Sequence, residues 1–499
     1  MYERRGDTLQ RLRRALPSSF LLLAAFAGCA ARVSRAPLAA GDPVYGEVRR
    51  GDVSWQYEIR YGAPREGELE IEAAFAKTSS DELRIDEESV AFVGDVAYAV
   101  AGGWRPAARD GLGWQVPCRQ GGCRVRYHFA LREAADQLDA VDTAIASGDV
   151  VVAPPPTWLV HPAFQTGSFR FRVRTSPPSR FATGIRQSPD GAADTYEAPI
   201  DAFEGASFAV FGPFHARALE RGGARFDIAI APHALALTDD DVVAWTATAV
   251  DAISRYYGRF AVPHTLVIVH AGRPREPTRG ETLGDGGPAV LLGAAGGMAR
   301  AAIRDDWVMT HELLHVTLPS LARRHAWLGE GLASYVEPIA RARVGQITPE
   351  KFWHDLVDGI PQGLPMPGDQ GLDRTHTWGR TYWGGALFCL LADVGIREQT
   401  ANARSLDDAL RAIVATGADV ENLWDIEHFL DVADGATGTR VLHDLYRDLA
   451  LAPGRVDLRA LWSGLGVRVQ GGRVELDDAA PQAFARRAMT LPNQGQGSP

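Results

Sequence analysis

A change in apolar periodicity along the chain predicts a multidomain α+β protein. An antiparallel β-sandwich comes first, an α/β domain follows, and a mainly helical part comes last. Three observations carry this. From about Gly41 to Pro213 apolar residues recur every second position. At Gly212-Pro213 that period stops. Beyond about Gly293 the apolar spacing becomes helical and helix-start signals appear.

In the first region Trp55, Tyr57, Ile59 and Tyr61 alternate with polar residues, and Phe169, Phe171 and Val173 alternate with Arg170, Arg172 and Arg174. Such alternation marks half-buried strands with one solvated face. Ala153-Pro154-Pro155-Pro156 and Ser176-Pro177-Pro178-Ser179 read as turns between them. In the second region Arg225–Ile230 and Thr265–Val269 read as strands flanking a helix from Asp239 to Tyr257. A Gly-rich loop, Gly272–Gly287, then precedes the apolar run Ala289–Leu292, read here as a sheet-edge strand. Thr348-Pro349 and Ser405–Asp408 are helix starts: the first puts a cap before a first-turn proline, the second resembles a capping box. The expected boundaries are 42–215 for the sandwich, 216–345 for the α/β domain, 346–470 for the helical part and 471–499 for a C-terminal segment ending in the unstructured polar tail Asn493–Pro499.

The 499 residues are 46% hydrophobic and 23% charged, which excludes a disordered or fibrous chain. A net charge of -10 offers no basic face for nucleic acid. The amino terminus carries Arg4, Arg5, Arg11, Arg13 and Arg14, then an apolar run from Phe20 to Ala27. That order is a signal peptide's, and the run is too short to span a bilayer. Phe26-Ala27-Gly28-Cys29 resembles a bacterial lipobox, so residues 1–28 are expected to be removed and Cys29 lipidated; ordinary secretion is the alternative. Removal leaves 47 basic against 60 acidic residues, a net charge of -13. Cys118 and Cys123 flank the turn-forming Arg-Gln-Gly-Gly and could close a disulfide loop in an oxidising compartment, while Cys389 reads as a buried thiol.

The chemistry concentrates in His311-Glu312-Leu313-Leu314-His315. Two imidazoles four apart on a helix share one face and can grip one zinc ion, and Glu312, rotated by about 100°, can reach a water on that ion. The same motif also occurs in helices that bind nothing. A catalytic zinc needs a third ligand and an open position. Glu330, in the amphipathic run Trp327–Glu337, is the candidate; His325 is a rival in the cationic stretch Arg323-Arg324-His325. Glu337, two turns beyond Glu330, could accept a hydrogen bond from a ligating imidazole or simply face solvent.

His-Glu-Leu-Leu-His followed by Trp-Leu-Gly-Glu-Gly-Leu-Ala-Ser-Tyr resembles the gluzincin metallopeptidases of the aminopeptidase N clan. The stretch Thr381-Tyr382-Trp383-Gly384-Gly385-Ala386-Leu387, continuing to Asp408, is similar to the glycyl aminopeptidase family of that clan, and the likeness spans about Phe226 to Leu465. It implies a thermolysin-like zinc catalytic domain at 216–345, one Zn2+ per chain, a peptide substrate, and Tyr382 as donor to the developing oxyanion. Where the family carries Gly-Gly-Leu-Glu-His, whose Glu binds the substrate's free amine, this chain reads Gly286-Gly287-Pro288-Ala289-Val290; Asp285 or Glu281 could replace that acid. The expectation is therefore an exported zinc metallopeptidase of aminopeptidase type, anchored in a bacterial cell envelope by lipid on Cys29. An endopeptidase with the same site, or a binding lipoprotein without activity, are the alternatives.

Overall fold

The computed structural model describes residues 53–62, 65–163, 165–273 and 275–491. Cys29 and the expected leader lie outside these residues, as does Asn493–Pro499.

The amino-terminal region is built of strands. A seven-stranded sheet runs in the order Thr195–Pro199, Ser168–Thr175, Val53–Gly62, Arg65–Phe75, Cys123–Phe129, Val93–Val100, Gly103–Pro106. Trp55, Tyr57, Ile59 and Tyr61 are buried while Gln56, Glu58 and Arg60 face water, so alternation sets the buried face. The sheet is not wholly antiparallel as expected: Val53–Gly62 pairs with Ser168–Thr175 in parallel. A parallel pair needs a long crossover, and here most of the domain forms it. A smaller sheet, containing Val150–Val152 and Ala209–Gly212, shares an aromatic core with the large one. Trp158 packs edge-on against Phe171 of the large sheet and Phe211 of the small one, with ring centroids 5.9 and 5.6 Å away. Cys118 and Cys123 form a disulfide.

The next sheet positions the candidate site. Its order is His215–Arg221, Ala224–Ile230, His264–Ala271, Ala289–Ala294, Arg279–Leu283. The edge strand is Arg279–Leu283, antiparallel to its neighbour, and Ala289–Ala294 lies inside it. This overturns the expected edge at Ala289–Leu292. A strand that is apolar on both faces has no solvated side and belongs in a sheet's interior. Val267, Val269, Val290 and Leu292 pack into the helical core, whereas Leu266, Ile268, Ala289 and Leu291 pack on Val150, Val152, Phe208 and Val210 of the amino-terminal domain. The expected Gly-rich loop Gly272–Gly287 in fact contains this edge strand, and its last residues turn the hairpin from Arg279–Leu283 into Ala289–Ala294. Gly287 sits at φ +140° with its Cα against the Gly184 carbonyl, where any Cβ would lie 2.1 Å from that oxygen.

Helix Asp239–Tyr257 starts at a Thr238/Asp241 capping box and stops at left-handed Gly258. Thr348 caps helix Pro349–Gly359, and Ser405 with Asp408 boxes helix Leu406–Ala415. Buried ion pairs tie the helices together: Arg343 meets Asp407 at 2.6 Å and Arg397 meets Asp393 at 2.9 Å, with Tyr335 donating to Asp393. Cys389 is buried among them, which pushes its thiol up and leaves it inert. Residues 471–491 carry regular structure. Gly471-Gly472 turns a hairpin between Val467–Gln470 and Arg473–Leu476, and helix Ala483–Thr490 follows, its Met489 carbonyl accepting from Arg343 Nε at 2.9 Å. No helix among the described residues is long and apolar enough to cross a membrane.

Candidate metal centre and active site

Helix Val308–His315 enters the core through Val308, Met309, Leu313 and Leu314. Asp306 Oδ1 accepts from the Val308 amide at 3.0 Å and satisfies its first turn. The opposite stripe presents His311 and His315. The chain then turns through Ser320–Leu321 and returns as helix Ala326–Arg343, which carries Glu330 beside them.

Three donor atoms converge. His311 Nε2 and Glu330 Oε2 are 3.3 Å apart, His315 Nε2 and Glu330 Oε2 3.5 Å, and the two Nε2 atoms 3.2 Å. With zinc bonds of about 2.0–2.1 Å, a regular tetrahedron has edges of about 3.3–3.4 Å. The triangle thus has the dimensions of one tetrahedral face, and among the described residues these three form the single group of His, Cys and acid side chains able to share an ion. The donors also perturb one another. Burial alone would raise Glu330, but His315 and His311 hold it down to about 2. Burial opposes charge on His315, yet Glu330, Glu312 and Glu281 outweigh it and raise it to about 9.

His325 stands outside the triangle. Its Nδ1 lies 2.8 Å from Asp373, which also accepts from Trp327 Nε1 and the Tyr446 hydroxyl, and its Nε2 accepts from Arg324. That buried network fixes the start of the Glu330 helix. Glu337 is buried rather than solvated, and it accepts from Arg341 Nη1 at 2.7 Å instead of from an imidazole. The i,i+4 guanidinium on its own helix is the nearer donor. His311 Nδ1 has no hydrogen-bond partner among the described residues.

Glu312 is 1% exposed and pinned: the Thr282 hydroxyl bonds its Oε2 at 2.9 Å and its carbonyl at 3.1 Å. Gly280 makes the room, since a Cβ there would fall 2.2 Å from Glu312 Cγ. Both residues sit on the edge strand, two apart and so on one face. Between them Glu281 lines the same cavity as Glu312, Glu330 and His315. Burial, then Glu312 and Glu330, push Glu281 up to about 9. Asp285 instead lies in the hairpin turn, its carbonyl accepting from the Ser207 amide at 3.0 Å. Sequence reasoning missed Gly280 and Thr282, for which only the two-residue spacing gave a signal.

Tyr382 lies in a π turn, Arg380–Gly384, that leads into helix Gly385–Gln399. Such turns often occur at functional positions. Its ring stacks at 6.4 Å from that of His311 and at 5.8 Å from Trp378. The crossing of this helix with the Glu330 helix is a backbone contact: a Cβ on Gly331 would lie 2.3 Å from the Gly385 carbonyl carbon. Two glycines therefore set how closely Tyr382 approaches the donor triangle.

No family model matches the chain, and no curated protein matches it in sequence. Solved structures do match. An aminopeptidase N family protein from Idiomarina loihiensis superposes with a TM-score of 0.64 at 13% identity, over 83% of this chain and 79% of its own. A substituted M1 zinc metallopeptidase from Deinococcus radiodurans, bound to a Tyr-Ser-Ala substrate, gives a TM-score of 0.50 at 13% identity, over 82% of this chain and 96% of its own. At these identities the likeness shows the fold: the multidomain α+β architecture is common to all three.

Proposed function

We propose that the chain is a zinc metallopeptidase of the gluzincin, aminopeptidase N type, and that it removes residues from free amino termini. The observation that carries the reading is the donor triangle of His311, His315 and Glu330, whose three edges match a face of a zinc tetrahedron. The likeness in fold to M1 peptidases and the sequence resemblance to glycyl aminopeptidases support it.

Zinc held by these residues, one per chain, supplies a Lewis acid that makes water nucleophilic near neutral pH. The protein's groups do the rest. Glu312 takes the proton of the attacking water and returns it to the leaving amine. Thr282 keeps that carboxylate aimed. Tyr382 donates from its phenolic hydroxyl to the oxyanion as the carbonyl carbon becomes tetrahedral. Glu281, a buried acid that lines the cavity, gives its proton to the substrate's α-amine and holds the resulting ammonium, and so replaces the acid missing from Gly286–Val290.

Matched peptides with free and acetylated amino termini test this directly. The free form is expected to be trimmed stepwise, the blocked form to resist, and chelator to abolish the trimming. Internal cleavage of the blocked peptide would make the enzyme an endopeptidase; no chelator-sensitive cleavage of either would leave a binding protein.

We also infer an envelope lipoprotein, lipidated at Cys29 and facing the periplasm or exterior. The Arg-rich leader, its apolar run and Cys29 support it, as does the Cys118–Cys123 disulfide, which suits an oxidising compartment. Cys29→Ala is expected to move the protein from the membrane fraction to the soluble fraction and to end incorporation of labelled fatty acid. Unchanged fractionation would remove the anchor.

A further inference from the structure

The cavity beside the donor triangle has a volume of about 190 Å3. Glu281, Glu312, His315 and Glu330 line it. Much of the remaining wall is apolar: Leu314, Leu318, Leu332 and Val336 from the two ligand helices and the turn after the first, and Val420 and Phe429 from the helical part. An apolar cavity of about 150 Å3 is enough to hold benzene. This one therefore has room for a side chain of Leu, Met or Phe size.

The wall at Val420 is fixed from several directions. Its carbonyl accepts from Ser320 Oγ at 2.7 Å, and its amide donates to the Val316 carbonyl at 3.4 Å. Three residues on, Leu423–Trp424 pairs with Ser320–Leu321 as a short parallel ladder. Glu421 is ion-paired with Arg186 of the amino-terminal domain. Gly284 of the hairpin turn closes the other side: a Cβ there would lie 2.6 Å from both Val420 methyl groups. A wall tied to two parts of the catalytic half and to the neighbouring domain keeps its place when substrate enters, and a preformed pocket can discriminate by size.

We propose that this cavity selects substrates with a bulky uncharged side chain, of Leu, Met or Phe size, next to the scissile bond, and that Val420 sets the size limit. The proposal rests on the peptidase reading. An acidic side chain would be buried beside Glu312 and Glu330, a like-charge placement that costs too much in a desolvated pocket, and Gly or Ala leaves the apolar walls unfilled.

Two measurements separate the proposal from the reading beneath it. The first compares kcat/KM for free-amino tripeptides that carry Gly, Leu, Phe, Trp or Asp at the first or the second position. A preference for Leu or Phe over Gly of at least ~10-fold is expected at one position flanking the cleaved bond. In Val420→Trp that ratio should fall to near one, and in Val420→Ala the optimum should move to Trp. The second is calorimetric binding of the Gly and Leu peptides to Glu312→Gln, which needs no turnover. If nothing is cleaved but the binding preference stands, the peptidase reading falls and the pocket survives. Cleavage or binding without size preference, or a preference that both Val420 variants leave unchanged, overturns the pocket.

Discussion

Replacing Glu312 by Gln is expected to lower kcat by ~10²–10⁴-fold, the range by which general base catalysis accelerates such reactions, while zinc stays at one per chain. The amide has the size of the carboxylate, so it fits the space that Gly280 leaves, and its oxygen can still accept from Thr282 Oγ1, now 2.9 Å from Glu312 Oε2. What it lacks is a lone pair basic enough to take a proton from water. His311, His315 and Glu330 keep their 3.2–3.5 Å spacing, because Glu312 is not one of the three donors. Metal analysis, turnover and KM on one sample decide the matter. A loss confined to kcat removes an interaction made in the transition state; turnover within tenfold of the parent would take the proton-transfer role away from Glu312.

The parts of the site that lie close along one helix were legible in the sequence, and those assembled from distant strands were not. His311, Glu312 and His315 follow from helical spacing alone, and Glu330 from the restart of an apolar period after Pro319. Tyr382 was visible only through resemblance, since a tyrosine between Trp378 and Trp383 reads locally as core. The edge strand was misplaced for a physical reason. Arg279-Gly280-Glu281-Thr282-Leu283 has one large apolar residue and a glycine, which gives little strand signal, while Ala289–Leu292 is continuously apolar. Burial on both faces produced that second pattern and marks an interior strand. Likewise the parallel pairing of Val53–Gly62 with Ser168–Thr175 joins residues more than a hundred apart, and local alternation carries no record of a partner. The hairpin Val467–Leu476 was within reach: Gly471-Gly472 between alternating residues is a two-residue turn signal.

The misread strand holds the least obvious determinant of activity. Gly280→Ala adds one methyl group, and within a strand that change ordinarily stabilises by ~0.5–1 kcal/mol. Here the new Cβ would lie 2.2 Å from Glu312 Cγ, 2.7 Å from Cδ and 2.8 Å from Oε1. Overpacking of this kind costs ~1–3 kcal/mol, so the clash outweighs the propensity gain and net destabilisation is expected. Two relaxations are open. The edge strand, hydrogen-bonded to Ala289–Ala294 on one side only, can tilt outward, or the Glu312 side chain can turn away. Either lengthens the Thr282–Glu312 bond and misaims the carboxylate, and a displacement of about 1 Å at a reacting group can cost ~10²-fold in rate. The expected result is a kcat loss of ~10²-fold with zinc content unchanged and a melting temperature only modestly lower. Thr282→Val provides the control, since it removes the hydroxyl without adding bulk against Glu312, and it should give a smaller loss in the same direction. If Gly280→Ala instead turns over within threefold of the parent, Glu312 has slack against the edge strand, and the strand's part in aiming the base is gone.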